Sequence, residues 1–257
     1  MKKYLEYFDG AFDSTVADKI KPENKPYVAY SRTEGVVYTV IPKEQTSAYQ
    51  MIDLGLPSGL KWADKNVGAD TPQDYGLYFS WGNVDGHAVD ESGIVADGYS
   101  FDKNTYSTSI GGQYTGSTLD AEHDAATVNM SSDWRMPTST ETYELLNNTD
   151  HYFIGGNGSI VDKSNLDGSE LRSICFVKKG EDFDYSVRGN FIEFPFAGFC
   201  KDSLIDKKNL YGYVWSSTII SGPQGLSRGF YFNSDGRLDN QGTFTRYTGR
   251  SVRGVHA

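Results

Sequence analysis

The final stretch, Tyr211 to Ala257, most constrains the fold, because short apolar runs alternate there with Gly, Asp and Asn. Tyr213-Val214-Trp215 opens it and leads into Ser216-Ser217-Thr218. A second run covers Gly229 to Asn233, Asp235-Gly236 supplies a turn, and a last run lies near Ser251 to Val255. Short alternating runs bounded by turn residues predict antiparallel strands. The stretch is also biased in composition. From Ser216 onward it has no Lys, Glu, Met or Trp, yet it holds five of the nine arginines: Arg228, Arg237, Arg246, Arg250 and Arg253.

Upstream, the pattern changes period. Trp134-Arg135-Met136-Pro137 runs into Thr138-Ser139-Thr140-Glu141, a capping box in which hydroxyl and carboxylate satisfy free N–H groups of a first turn. A helix is predicted from there through Tyr143, Leu145 and Leu146 to Asn147-Asn148. Leu119 to Asn129 is Ala-rich with acidic residues near its start, and predicts another helix. Strands return at Ile174 to Val177 and Phe191 to Phe196, with Pro195 marking an edge. Residues 83–118 are polar, rich in Gly and Ser, and aperiodic, and read as a long loop or insertion. Two helices followed by a run of strands describe an α+β domain.

The N-terminal part reads separately. Tyr27 to Tyr30 and Val36 to Ile41 form a predicted β-hairpin across Thr33-Glu34-Gly35, and residues 1–20 read as a short helix or an arm. Pro42 to Ala48 is a polar linker. The expected division is an attachment element at 1–46 and a principal domain at 47–257.

A net charge of -10 argues against a nucleic-acid backbone as partner. His87, His123, His151 and His256 are scattered without metal-ligand spacing. Asp102-Lys103-Asn104 starts like a calcium loop but lacks its later Gly and Glu. There is no nucleophile elbow, phosphate loop or dinucleotide fingerprint. Neither a metal nor a cofactor is therefore expected, and catalysis has no visible carrier. Cys175 and Cys200 could pair, but a reduced, buried state for both is the expectation. Met1-Lys2-Lys3 is followed by Tyr4-Leu5-Glu6-Tyr7 rather than an apolar run, so no signal peptide is expected, and no stretch approaches membrane-spanning length. With 18 Tyr, 14 Phe and 28 Gly, the chain carries the palette of adaptable binding surfaces. For any single Tyr, a wet β-rich surface is the plainer explanation.

Several segments together carry a resemblance. IDLGLPSGLKWADKNVGA, PQDYGLYFSWG, DAATVN, WRMPTSTETYELL, FIEFPFAGF, YVWSST and RSVRGV occur in that order over roughly 50–257. The set resembles the Fibrobacter succinogenes major paralogous domain family, which is similar in turn to C-type-lectin-like folds. The start of the capped helix, Arg135 to Glu141, is similar to that of formylglycine-generating enzymes. The family also includes variable proteins of diversity-generating retroelements, in which a C-terminal segment is rewritten at adenines. The resemblance thus implies a C-type-lectin-like fold of two helices and short antiparallel strands, with a variable region at about 213–255. It also makes Trp134, Arg135, Pro137, Thr138, Glu141 and Trp215 scaffold positions.

That implication gives the compositional bias a cause. Randomising the first two bases of codons ending in C or T never produces Lys, Glu, Gln, Met or Trp. Only Gln224 and Gln241 break the rule after Ser216, so they are expected to be template-fixed. The candidate ligand face is Ile219, Ile220, Ser221, Ser227, Arg228, Phe230, Tyr231, Arg237, Asp239, Phe244, Thr245, Arg246, Tyr247, Thr248 and Arg250. The alternative places the aromatics in the core and leaves the arginines merely solvated. Departures narrow the function. The calcium tripeptides of sugar-binding lectins are absent, with Ser216-Ser217 following Trp215. The oxidase relatives need a close C-terminal cysteine pair, whereas Cys175 and Cys200 are far apart, and Arg253-Gly254-Val255 stands near the end where the resemblance implies Arg-Pro-Val. The expected function is binding of a protein or glycan on a cell surface, at a virion or bacterial surface such as a phage tail tip. That function is compatible with oligomers, without nucleic acid or membrane insertion. An invariant surface adhesin and a formylglycine-generating-type oxidase are the rivals.

Overall fold

In the computed structural model the chain is described over the strands Lys3–Leu5, Tyr27–Ser31 and Val36–Val40 and over residues 49–109, 116–162, 171–220 and 225–256. It divides into two compact units, Met1–Ala48 and Tyr49–Ala257. In the first unit, β2 (Tyr27–Ser31) and β3 (Val36–Val40) form the antiparallel hairpin, with Tyr30 opposite Val37. Strand β1 (Lys3–Leu5) runs parallel to β3 on its other side, within the stretch read as a helix or arm.

The second unit is α+β, mostly strands, with three helices among its described residues. Its ends meet. Strand β4 (Met51–Asp53) pairs with β5 (Lys61–Ala63), and β17 (Val255–His256) closes on β5 with Val255 opposite Trp62. The capped helix is α3 (Ser139–Asn148), with both halves of the capping box in place between Thr138 and Glu141. Arg135 donates to both Glu141 carboxylate oxygens, at 2.8 and 2.6 Å, and to the Met136 carbonyl. Burial pushes the Glu141 carboxyl up, but the Arg135 bonds and the Thr138 N–H outweigh it and leave it below its ordinary value. Trp134 is buried against the edges of Tyr49 and His256.

The other expected helix is shorter than its composition suggested. Only α2 (Ala125–Asn129) is helical, because Asp124 is its cap and stops it from starting earlier. The buried Asp124 carboxylate accepts from the N–H groups of Ala126, Thr127 and Met136, so one side chain fastens the helix to the scaffold segment. The stretch read as a long loop or insertion, described over 83–109 and 116–118, is mostly turns and bends but is pinned at several points. It carries α1 (Lys103–Ser109) and bridges at Ile94–Leu204, Phe101–Asp202 and Thr118–Thr218. Val95 and Phe101 build a small core there with Tyr78 and Cys200.

Two sheets enclose the main core. One has the order β10-β9-β7-β8, from β7 (Thr149–Gly155), β8 (Ile160–Val161), β9 (Leu171–Lys178) and β10 (Phe191–Pro195). Strand β10 lies at its edge, where Pro195 removes no ladder bond. The other has the order β15-β14-β13-β16-β6. Its members are β6 (Tyr78–Phe79), β13 (Tyr211–Trp215), β14 (Leu226–Asn233), β15 (Leu238–Thr245) and β16 (Arg250–Ser251). Val214, Phe230 and Phe232 point from the second sheet into the core and meet Phe176, Phe194 and Phe196 of the first sheet and its continuation. Beside it, Trp81 and Trp215 each donate an indole N–H to backbone, to Ser216 and Phe79, at 2.7 and 2.8 Å. These paired bonds lock β13 to the chain around β6. A further pair, β11 (Phe199–Lys201) with β12 (Leu204–Asp206), covers the insertion. No helix among the described residues is long and apolar enough to cross a membrane.

Candidate functional site

Because side chains alternate along a strand, a β13 that sends Val214 inward sends Tyr211 and Tyr213 outward. Tyr231 lies opposite Tyr213 on β14, and Asp239 of β15 lies opposite Tyr231. Phe244 completes the group, edge-on to Tyr213 at 5.3 Å and to Tyr231 at 6.1 Å between ring centres. Tyr211 and Tyr213 are stacked at 5.5 Å with their planes 6° apart. These rings, with Asn233, Arg237 and Asp239, line a cleft of about 390 Å³ on the outer face of the five-stranded sheet.

Two glycines make the cleft concave. Gly242 faces Gly229 across β14 and β15, and a Cβ on Gly242 would fall 2.4 Å from the Phe244 ring. Next to the glycine pair the ladder slips between Gly229 and Tyr231, a bulge that bends the strand beside the site.

Of the residues proposed from sequence, the structure brings four into this cleft: Tyr231, Arg237, Asp239 and Phe244. Others belong elsewhere. Phe230 and Ser227 are fully buried, and Thr248 is buried in the turn before β16. Phe230 shares the core-facing side of β14 with Phe232, the Ser227 hydroxyl accepts from Arg246, and the Thr248 hydroxyl donates to the Thr245 carbonyl within its turn. Arg250 is the main correction. It is buried, with its guanidinium 4.3 to 5.1 Å from the ring centres of Phe244, Trp215, Tyr213 and Phe199. Ring faces supply the negative potential that water would otherwise provide. Burial lowers its pKa to about 9, so it stays charged at neutral pH. Burial also raises the Tyr213 phenol to about 12, which leaves that hydroxyl neutral.

Arg228 is half-buried and donates to the Gln241 carbonyl at 2.8 Å, fastening β14 to β15. Arg246 stacks on Trp81 at 4.4 Å and donates to the Leu226 carbonyl and Ser227 hydroxyl. Neither arginine is merely solvated. Thr245 is half-buried and accepts from the Thr248 hydroxyl at 2.7 Å. Tyr247 faces a different depression, beside Asp102 and Asp202. Ile219 and Ile220 are half-buried, and Ile219 packs against the cluster around Trp81 and Trp215. Ser221 and Gln224 lie outside the described residues. Sequence reasoning had treated Tyr213 as part of an apolar strand and had passed over Tyr211 and Asn233. The Tyr-x-Tyr-x-Trp spacing of 211 to 215 was the available signal, because it sets aromatics on one strand face.

Cys175 and Cys200 are free, buried and in separate clusters. Among the described residues no group of three or more His, Cys, Asp or Glu could hold a metal ion. Compared with protein-family models, curated proteins and solved structures, the chain gives no match.

Proposed function

We propose that the second unit is a C-type-lectin-like ligand-binding domain whose aromatic cleft is the recognition surface of a retroelement-diversified segment. The observation that carries this reading is the clustering of Tyr211, Tyr213, Tyr231 and Phe244 on the solvent side of strands whose inner side is core. Tyr gives a large, stiff contact area at low cost in conformational entropy, which suits a face whose ligand is recognised by shape. The cell-surface and phage-tail settings belong to the same proposal. The scaffold supports it: the Trp81 and Trp215 bonds fasten β13, which carries Tyr211 and Tyr213, to the chain around β6.

The test is a random-peptide library displayed on phage and selected on the wild-type protein. Selected binders should lose most of their affinity, about 30-fold or more, for the Tyr211→Ser/Tyr231→Ser/Phe244→Ser variant. These rings are half-buried, so the melting temperature should drop by several degrees while a single cooperative transition persists. Undiminished binding by the variant would overturn the reading. Should the triple variant not fold, Tyr231→Ser alone gives the same comparison.

Diversification is checked by sequencing this locus in independent isolates. Changes should gather at cleft positions such as Tyr231, Arg237, Asp239 and Phe244, and spare buried Phe230 and Arg250 and the expected fixed Gln241. An invariant segment, or changes spread evenly over residues 49–257, would favour the adhesin instead.

A further inference from the structure

The cleft already holds a cation, and it is the protein's own. The Arg237 guanidinium lies 5.4 Å from the centre of the Tyr231 ring and donates to Asp239 at 3.2 Å. Its side chain is 65% exposed, while that of Asp239 is 29% exposed. An exposed pair of this kind contributes little, so the arginine is a loosely held occupant. Beneath it lies a site that a guanidinium fits: a ring face beside a more sheltered carboxylate.

Resting on the binding-face reading above, we infer that the Tyr211–Tyr231–Asp239 end of the cleft takes a cationic side chain, an arginine of a partner polypeptide, in place of Arg237. Three observations support arginine as the occupant. First, the geometry is demonstrated by a resident guanidinium, whose planar fork both stacks on the ring and reaches the carboxylate. Second, although the segment from Ser216 onward is itself rich in arginine, the chain as a whole carries a net charge of -10, which draws a basic partner toward it at long range. Third, the cleft is electrically graded. Arg250 lies against Tyr213 and Phe244 and makes that end unfavourable to a second cation. The described ring contacts of Arg250 include neither Tyr211 nor Tyr231. A bound arginine is thereby steered to one end, and the remaining aromatic wall is left for an apolar neighbour in the partner.

Arg237 then acts as a competitor, and its removal distinguishes this inference from a general aromatic contact. The experiment titrates N-acetyl-arginine amide, and its neutral isostere N-acetyl-citrulline amide, into the protein while following tyrosine ring signals by NMR. Wild type should bind the arginine probe saturably and the citrulline probe at least about threefold more weakly, the scale of an exposed cation–π contact. Arg237→Ala should tighten the arginine probe by about threefold or more, and Asp239→Asn should weaken it by a similar factor. Equal binding of the two probes overturns the inference, as does an Arg237→Ala variant that binds no better than wild type, or no saturable binding to either protein. The two readings fail separately. Library-selected peptides that need the cleft but lack arginine would leave the binding face standing and remove the cation site. Selected peptides indifferent to the cleft would remove the binding face itself.

Discussion

Replacing Arg253 by Ala should cost the second unit about 3–5 kcal/mol, one of the two largest effects expected of a substitution in this chain. Arg253 is fully buried, and its guanidinium donates to Asn66 Oδ1 at 3.0 Å, to the Ala63 carbonyl at 2.9 Å and to the Glu193 carbonyl at 2.7 Å. It also lies 4.2 Å from the centre of the Phe194 ring. One side chain near the C-terminus therefore ties β5 and the segment after it to β10, across the interior. Truncation strands three buried oxygens and empties the space over Phe194, and each loss adds to the other. Burial lowers the pKa of the guanidinium to about 9, so it is charged at neutral pH. Arg253→Lys should cost almost as much, since one ammonium cannot stand in for three donor nitrogens that each reach a different acceptor. Urea unfolding with an unchanged slope and a lowered midpoint is the expected record. A loss below about 1 kcal/mol for Arg253→Ala would show that the three acceptors find other donors.

The contrast with Arg250 shows where sequence reading stops. Arg250 and Arg253 lie three positions apart in the same basic tail, and nothing in their immediate neighbours separates them from exposed Arg237. Their burial is decided by partners far away: Asn66 and Ala63 for one, Phe199 and Trp215 for the other. Local signals were legible. The Thr138–Glu141 box, the Tyr27–Val40 hairpin, edge-marking Pro195 and the Asp235-Gly236 turn, with Gly236 at φ +82°, each depend on contacts within a few residues. The insertion was not legible, because its order comes from pairings such as Phe101 with Asp202, about a hundred positions apart.

The cleft was half legible for the same reason. Tyr231, Phe244 and Tyr247 are the large aromatic anchors that the biased segment offers; the first two line the cleft, whereas Tyr247 lies at another depression. Tyr211 and Tyr213 precede the biased segment and join through strand register, with Tyr213 opposite Tyr231. Phe230, one position from Tyr231, falls in the core because a strand turns successive side chains to opposite faces. A composition argument cannot see that alternation, whereas a register can.

The other large effect is expected on the far face of the β10-β9-β7-β8 sheet, from removing two arginines rather than one carboxylate. Glu193 of β10 is fully buried opposite Cys175, and it accepts from Gln73 at 2.6 Å, Ser173 at 2.5 Å and the Tyr185 hydroxyl at 2.9 Å. Its charge is balanced by Arg188 at 2.9 Å and Arg172 at 3.5 Å, and Arg172 also donates to the Tyr185 hydroxyl. The double variant Arg172→Met/Arg188→Met leaves a buried carboxylate with neutral donors alone. Breaking a buried ion pair from one side costs about 3–5 kcal/mol. Here the arginines are 33% and 48% exposed and reach water, so the loss should fall at the lower end, about 3 kcal/mol. Adding Glu193→Gln to that variant should restore most of it, because the amide keeps hydrogen bonds while removing the stranded charge. Urea midpoints for the wild type and the double and triple variants measure this directly. A triple variant no more stable than the double would show that the arginines act through packing on Tyr185 and Phe191, which Arg188 covers at 4.4 and 5.3 Å, and not through charge.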